Sequence, residues 1–313
     1  MDDGFNIMIV GCGMVGSSLA ALVAANGYRV YVCENDETAF DGGERRIRKI
    51  YEQVKQHGHM NDAQIEVSMA RCTLLHTAQE TTEPMTAAFE CVGEVLPLKQ
   101  SVYDMLLTSH PELKAIASAT SAIMPNMLAQ GAKAPEKILI AHPFNPPHLV
   151  KLFEIVPHEK TEPAAVALVN GLLLHCGRKP VAMQKAAPGF IVNRMQHALL
   201  REAFYMVEQG YASFREIDET LKYSIMPRYS SVGLFENQDA VGLDLVKNIE
   251  SYLLPHLCRA VEPLGILQER VAERTLGMKT GSGIYEWDEE RKQGFFEGTA
   301  QPYWSSFDWP NLK

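Results

Sequence analysis

The first forty residues set up a pattern that governs the amino-terminal half of the chain. Asn6 to Val10 (NIMIV) is a short, unbroken apolar run, the signature of a central parallel strand covered on both faces. Gly11-Cys12-Gly13-Met14-Val15-Gly16 follows at once, then an alanine- and leucine-rich helical stretch stopped by Gly27, then a second strand at Tyr28 to Cys33 (YRVYVC). The alternation continues with a charged helical segment at Glu44 to Gln56, strands near Cys72 to His76 and at Ala87 to Val92, and a helix from Leu98 to Ser109. Strands at Lys114 to Ser118 and Lys137 to Ala141 complete it, which predicts a mostly parallel, doubly wound sheet. After the proline-rich turn His142 to His148, the run Leu149 to Val156 (LVKLFEIV) has to return antiparallel, because so short a connection cannot make a parallel crossover.

From Pro188 the period changes. Helical patterning covers Ile191 to Gln209, Ser213 to Lys222, Leu243 to Leu257 and Ile266 to Arg274, with no strand between them. The expected architecture is α/β, a Rossmann-type mostly parallel sheet with an antiparallel extension over residues 1–187, followed by a smaller all-helical domain over 188–313. A helical domain that opens on one long helix does not cover its own apolar faces, so a homodimer formed through it is expected. Trp287 to Lys313 is rich in aromatic residues but aperiodic, and reads as a segment that docks on its own chain or on a partner.

Composition narrows the function classes. With 46% hydrophobic and 21% charged residues in 313, the chain is ordinary globular material. Its 29 basic residues against 38 acidic ones give a net charge of −9 with no basic block, which argues against nucleic acid and anionic membrane as partners. The six cysteines are scattered without a CxxC pair, the amino terminus carries acids where a signal peptide carries bases, and no apolar stretch reaches the roughly 20 residues of a membrane helix. These features point to a soluble, cytoplasmic protein. Metal-ligand spacings and a GxSxG elbow are both missing from the sequence, so neither a metal centre nor a hydrolase is expected.

The glycine run carries the first chemistry. A GxGxxG string directly after a buried-type strand and opening a helix, with an acid eighteen residues after Gly16 at the end of the next strand, is a dinucleotide fingerprint. Gly11 allows the tight turn, Gly13 lets the pyrophosphate approach, Gly16 lets helix and strand pack, and the helix amino terminus, Met14 and Val15 included, offers N–H groups to the anion. Glu34 can accept both ribose hydroxyls; Asn35, Asp36 and Glu37 after it would repel a 2′-phosphate, so NAD is favoured over NADP.

Hydride transfer from an alcohol also needs a base, a group to orient it, and donors for the oxygen. His142 ends the strand ILIAH, at the carboxyl end where ligands collect in such sheets. A hairpin turning about residue 148 sets Glu154 opposite His142, where its carboxylate would fix the tautomer and stabilise the imidazolium.

GCGMVG, ECVGEVLPLK, SATS, HPFNPP, PGFIVNR and KTGSGIY, in this order over about 280 residues, resemble the 3-hydroxyacyl-CoA dehydrogenase family. TSAIMPNML and AHPFNPPHLVKLFEIVP are most similar to its branch containing L-gulonate 3-dehydrogenase and lambda-crystallin, whose enzymes act on free hydroxy acids, with carnitine dehydrogenases related to it. The resemblance implies that His142 is the general base and Glu154 its partner, that Ser121 and Asn193 hold the substrate oxygen, that Glu94 and Lys99 face the nicotinamide ribose, and that Asn145 lies on the nicotinamide side. It also implies a substrate-binding Arg228, whose guanidinium suits a free carboxylate rather than a thioester. Where the acyl-CoA enzymes usually have Asn, this chain has Ala119. The expected activity is NAD-dependent oxidation of a 3-hydroxy group on a short hydroxy acid of the L-gulonate or carnitine type. Two alternatives stay open: an L-3-hydroxyacyl-CoA dehydrogenase using the basic face Arg45, Arg46, Arg48 and Lys49, and a catalytically silent, NAD-binding structural protein of the crystallin kind.

Overall fold

The computed structural model describes residues 5–312. The chain divides into two compact units, one running up to Ile191 and resuming at Gly298, the other Val192–Glu297.

The first unit is built on one eight-stranded sheet of order β3-β2-β1-β4-β5-β6-β7-β8. Its strands are β1 (Asn6–Val10), β2 (Arg29–Cys33), β3 (Cys72–Leu75), β4 (Met85–Glu90), β5 (Ala115–Ser118), β6 (Ile138–Pro143), β7 (Leu152–Val156) and β8 (Lys179–Ala182). All neighbours are parallel except β6 and β7, whose antiparallel register sets His142 against Glu154. Strands β1 and β4 have no exposed residue, as befits strands sandwiched between two helical layers. The helices are α1 (Met14–Ala25), α2 (Glu37–Asp41), α3 (Gly43–Gln56), α4 (Asp62–Met69), α5 (Leu96–Ser109), α6 (Pro125–Leu128) and α7 (Pro163–His175). Two apolar cores result, one on each face of the sheet. Ile7, Ile9, Val30 and Val32 pack towards α1 and α3, whereas Met8, Ala88 and Ile116 pack towards Val102, Tyr103 and Leu106 of α5.

Several elements of this unit were not expected from the sequence: the helices α2, α4, α6 and α7 and the edge strand β8. Strand β8 is only four residues, begins on a lysine and contains Pro180, which suits the edge of a sheet and leaves no alternation to read.

The second unit is helical: α8 (Val192–Glu208), α9 (Phe214–Lys222), α10 (Ile225–Tyr229), α11 (Leu234–Val241), α12 (Leu243–Leu253) and α13 (Gly265–Ala272), with α14 (Glu289–Trp304) crossing into the resumed part of the first unit. Phe235, Tyr252 and Val261 remain exposed at 85%, 75% and 94%. The sequence expectation ran this helical domain on to residue 313, but the chain from Gly298 onward belongs to the first unit. The reason is aromatic burial: Trp304 and Trp309 sit in the core with Tyr51 and α1, and Trp304 stacks on His57 with centroids 3.8 Å apart. No helix among the described residues is long and apolar enough to cross a membrane.

Candidate functional site

The carboxyl ends of β2, β1, β4, β5 and β6 lie side by side, and the glycine turn opens there. Gly11 has φ +98°, and a Cβ on it would stand 2.8 Å from the Cys91 carbonyl oxygen; one on Gly16 would stand 1.8 Å from that of Gly11. Both positions therefore demand glycine. Around Gly13 the space is open, so an anion can reach the backbone there. Helix α1 starts without a side-chain cap and without an acid in its first turn, which leaves its positive end for a ligand. Glu34, at the end of β2, accepts the N–H of Cys12 at 2.8 Å and that of Asp36 at 3.0 Å, and so stands beside the turn where a ribose would bridge to the pyrophosphate. These residues fit a dinucleotide.

Next along the sheet edge is a buried charge network. The Glu90 carboxylate, fully buried at the end of β4, accepts from four donors: Lys99 Nζ at 2.8 Å, the Val92 N–H at 2.9 Å, Tyr103 Oη at 3.0 Å and Ser118 Oγ at 2.7 Å. Lys99 lies 3.3 Å from Glu94 Oε2, and Glu94 also accepts from Thr120 Oγ1 and from the Ala122 N–H at 3.2 Å. Partial burial raises the Glu94 pKa, but the Thr120 hydroxyl, Lys99 and the Ala122 N–H together bring it below the ordinary carboxylate value. Sequence reasoning missed Glu90. The signal available was an acid closing an otherwise apolar strand with a lysine nine residues on, since neither charge can be buried alone.

At the end of β6, His142 Nδ1 lies 2.8 Å from Glu154 Oε2, with side-chain exposures of 7% and 1%. The other carboxylate oxygen accepts the N–H of Ile191 at 2.7 Å. Phe144 and Phe190 flank the imidazole, with ring centroids 5.8 and 5.4 Å from it. Phe190 was also missed; it is fully buried and has φ +52°, a left-handed conformation costing a non-glycine residue of order 1–3 kcal/mol that surrounding contacts must maintain. With Nδ1 engaged, Nε2 is the nitrogen left to exchange a proton with a substrate hydroxyl.

Ser121 lies in the loop after β5, and Asn145 is exposed in the β6–β7 loop. Asn193 is in the first turn of α8 and Arg228 in α10, exposed, both within the second unit. Of the basic face on α3, Arg46 is turned inward: its Nε donates to the Cys12 carbonyl at 2.9 Å and another nitrogen to that of Ala39. Arg48 pairs with Glu66 at 2.7 Å. Burial pushes the Cys33, Cys72 and Cys176 thiols up to about 12, so they are not nucleophiles near neutrality. No group of three candidate metal ligands occurs among the described residues.

Comparison with known proteins matches residues 6–186 to the 3-hydroxyacyl-CoA dehydrogenase NAD binding domain and residues 189–287 to the C-terminal domain of the same family. The chain belongs to the 3-hydroxyacyl-CoA dehydrogenase family. It is an NAD-dependent dehydrogenase by that membership. It is 32% identical to lambda-crystallin of Oryctolagus cuniculus over 235 residues, 74% of this chain and 73% of the relative. It is also 32% identical to an L-carnitine dehydrogenase of Streptomyces griseus over 232 residues, 74% of this chain and 68% of the relative. A solved structure of 5-formyl-3-hydroxy-2-methylpyridine 4-carboxylic acid 5-dehydrogenase, described as an NAD+-dependent dismutase, superposes with a TM-score of 0.87 at 25% identity, covering 96% of each chain. Residues 288–313 lie beyond both family matches.

Proposed function

We propose that this dehydrogenase oxidises the 3-hydroxyl of a short free hydroxy acid. The observation that carries the reading is the His142–Glu154 pair at the carboxyl end of β6, buried and hydrogen-bonded at 2.8 Å. In oxidation Nε2 of His142 takes the hydroxyl proton, and Glu154, held in place by the Ile191 N–H, stabilises the imidazolium. NAD, when bound, accepts the hydride. The turn Gly11–Gly16 would hold its pyrophosphate, Glu34 its adenosine ribose, Glu94 and Lys99 its nicotinamide ribose, and Asn145 its nicotinamide side. Ser121 and Asn193 donate to the substrate oxygen, and Arg228 grips the carboxylate; these roles rest on the motif positions those residues occupy.

Preference for a free acid over a CoA thioester has two supports. Two relatives are named for free acids, carnitine and a pyridine carboxylic acid. On this chain's own α3, Arg46 and Arg48 are engaged by backbone carbonyls and by Glu66, which leaves less positive charge to hold a CoA phosphate. The test is NADH formation from L-gulonate, L-carnitine, 3-hydroxybutyrate and 3-hydroxybutyryl-CoA by wild type and Arg228→Ala. Turnover of a free acid that collapses in the variant is expected; turnover of the CoA ester alone, indifferent to Arg228, overturns the reading.

The same reading includes a homodimer formed through the second unit, supported by the exposed apolar side chains of α11 and α12, Phe235, Leu243, Ile249 and Tyr252 among them. Sedimentation equilibrium is expected to give twice the 34.9 kDa chain mass.

A further inference from the structure

The loop between β6 and β7 carries Asn145 and is tied down at its far end through His148 and the Pro147 carbonyl before it. Nδ1 of His148 lies 2.6 Å from Ser18 Oγ on α1, the helix whose amino terminus opens the glycine turn. The His148 carbonyl accepts Trp309 Nε1 at 3.2 Å and Arg178 Nη1 at 3.4 Å, and the same Arg178 nitrogen donates to the Pro147 carbonyl at 3.4 Å. Arg178, only 3% exposed, donates in turn to the Asp308 carbonyl at 2.5 Å and to that of Cys176 at 3.1 Å.

The carboxyl-terminal segment thus reaches the loop twice, directly through Trp309 and indirectly through Arg178. It is fastened further on by Asn311, whose backbone N–H donates to Asn26 Oδ1 at 3.2 Å and whose Nδ2 donates to the His175 carbonyl at 2.7 Å. Gly177, at φ +68°, leaves room for it, since a Cβ there would stand 2.7 Å from the Asp308 carbonyl oxygen. Neither family match extends to this segment.

We propose that residues 307–312 form a strap that positions the nicotinamide end of the cofactor site, acting through Arg178 and His148 on the loop that bears Asn145. The inference rests on the reading that places Asn145 on the nicotinamide side. Arg178, His148 and Trp309 are positioning residues; none needs to touch the cofactor. Among the described residues the strap's own hydrogen bonds run to the His148 carbonyl, Arg178, Asn26 and the His175 carbonyl, and none of these groups lies in the glycine turn or on Glu34, so its direct hold is on the loop rather than on the residues that serve the other half of the dinucleotide site.

That asymmetry gives a test that needs no knowledge of the substrate. Titration calorimetry compares NADH with ADP-ribose, which lacks the nicotinamide, on wild type, Asn145→Ala, Trp309→Phe and Gly177→Ala. Trp309→Phe keeps an aromatic ring but removes the N–H donor together with part of the indole, whereas Gly177→Ala displaces the strap. Both are expected to narrow the affinity gap between the two ligands at least threefold, as Asn145→Ala does, with ADP-ribose binding held within twofold of wild type. A gap of wild-type size in both strap variants, while Asn145→Ala narrows it, overturns the strap and leaves the Asn145 reading standing. Equal loss of both ligands also overturns it, since the segment would then be general scaffold. A gap narrowed by the strap variants but not by Asn145→Ala supports the strap and overturns the role given to Asn145. Wild-type protein that binds both ligands equally overturns the two together.

Discussion

Two buried carboxylates sit on strands of the same sheet, and they are served differently. Glu90, at the end of β4, has four donors, one of them the ammonium of Lys99. Glu154, on β7, counts among its partners the Ile191 N–H and the His142 ring, the latter a group that can change charge. A carboxylate with every lone pair occupied is a fixed charge that holds its neighbours; one shared with an imidazole can respond to a proton gained next door. Burial alone therefore does not mark a working group. The nature of its partners does.

The largest effect expected on this contrast comes from Glu90→Leu. It leaves Lys99, 1% exposed, without its principal counter-charge, and breaking a buried pair from one side costs about 3–5 kcal/mol. Urea denaturation should show that loss, and Glu90→Leu combined with Lys99→Met should recover much of it.

A third buried group sharpens the comparison, because it is kept neutral. Burial, reinforced by the nearby Arg178 charge, brings His148 down from 6.5 to about 4. The unfolded chain then binds more protons than the folded one between pH 4 and 6.5, so stability falls as pH drops through that window, by about 3 kcal/mol in all. Unfolding free energies at pH 7 and pH 4.5 are expected to differ less in His148→Gln than in wild type; an unchanged difference removes His148 from the account.

Glu154→Gln comes next. Glutamine can still accept the Ile191 N–H but no longer offsets an imidazolium, so kcat should fall about 100-fold, near 3 kcal/mol of barrier, with little change in the denaturation midpoint. A stability loss as large as that of Glu90→Leu would erase the distinction between the two sites. The smallest effect belongs to the exposed pair Arg48–Glu66: Glu66→Gln should leave the midpoint within experimental scatter, since water screens what the interior does not.

Much of this was readable in the residues. Apolar runs and glycine punctuation located seven of the eight strands, and the length of the β6–β7 connection forced the reversal that sets Glu154 against His142. What escaped depended on contacts between distant parts of the chain. Phe190 takes its strained backbone from the walls around it rather than from a local preference. The carboxyl-terminal segment is held by Trp304, Trp309 and Asn311 one contact at a time, which leaves no period to detect. Arg46 belongs to a charged helix by its spelling, yet it turns inward because two backbone carbonyls lie within its reach.

The discontinuity of the first unit has a consequence for the order in which the protein is made. Its sheet is encoded by the first two hundred residues, but Trp304 and Trp309, which close one wall of its core, are translated after Val192–Glu297. At about 5–20 residues per second, the ribosome inserts a wait of roughly 5–20 s between the two. During that interval the nascent sheet stands with the apolar ground around Tyr51 uncovered, so the body that is begun first is completed only by residues made after the second unit.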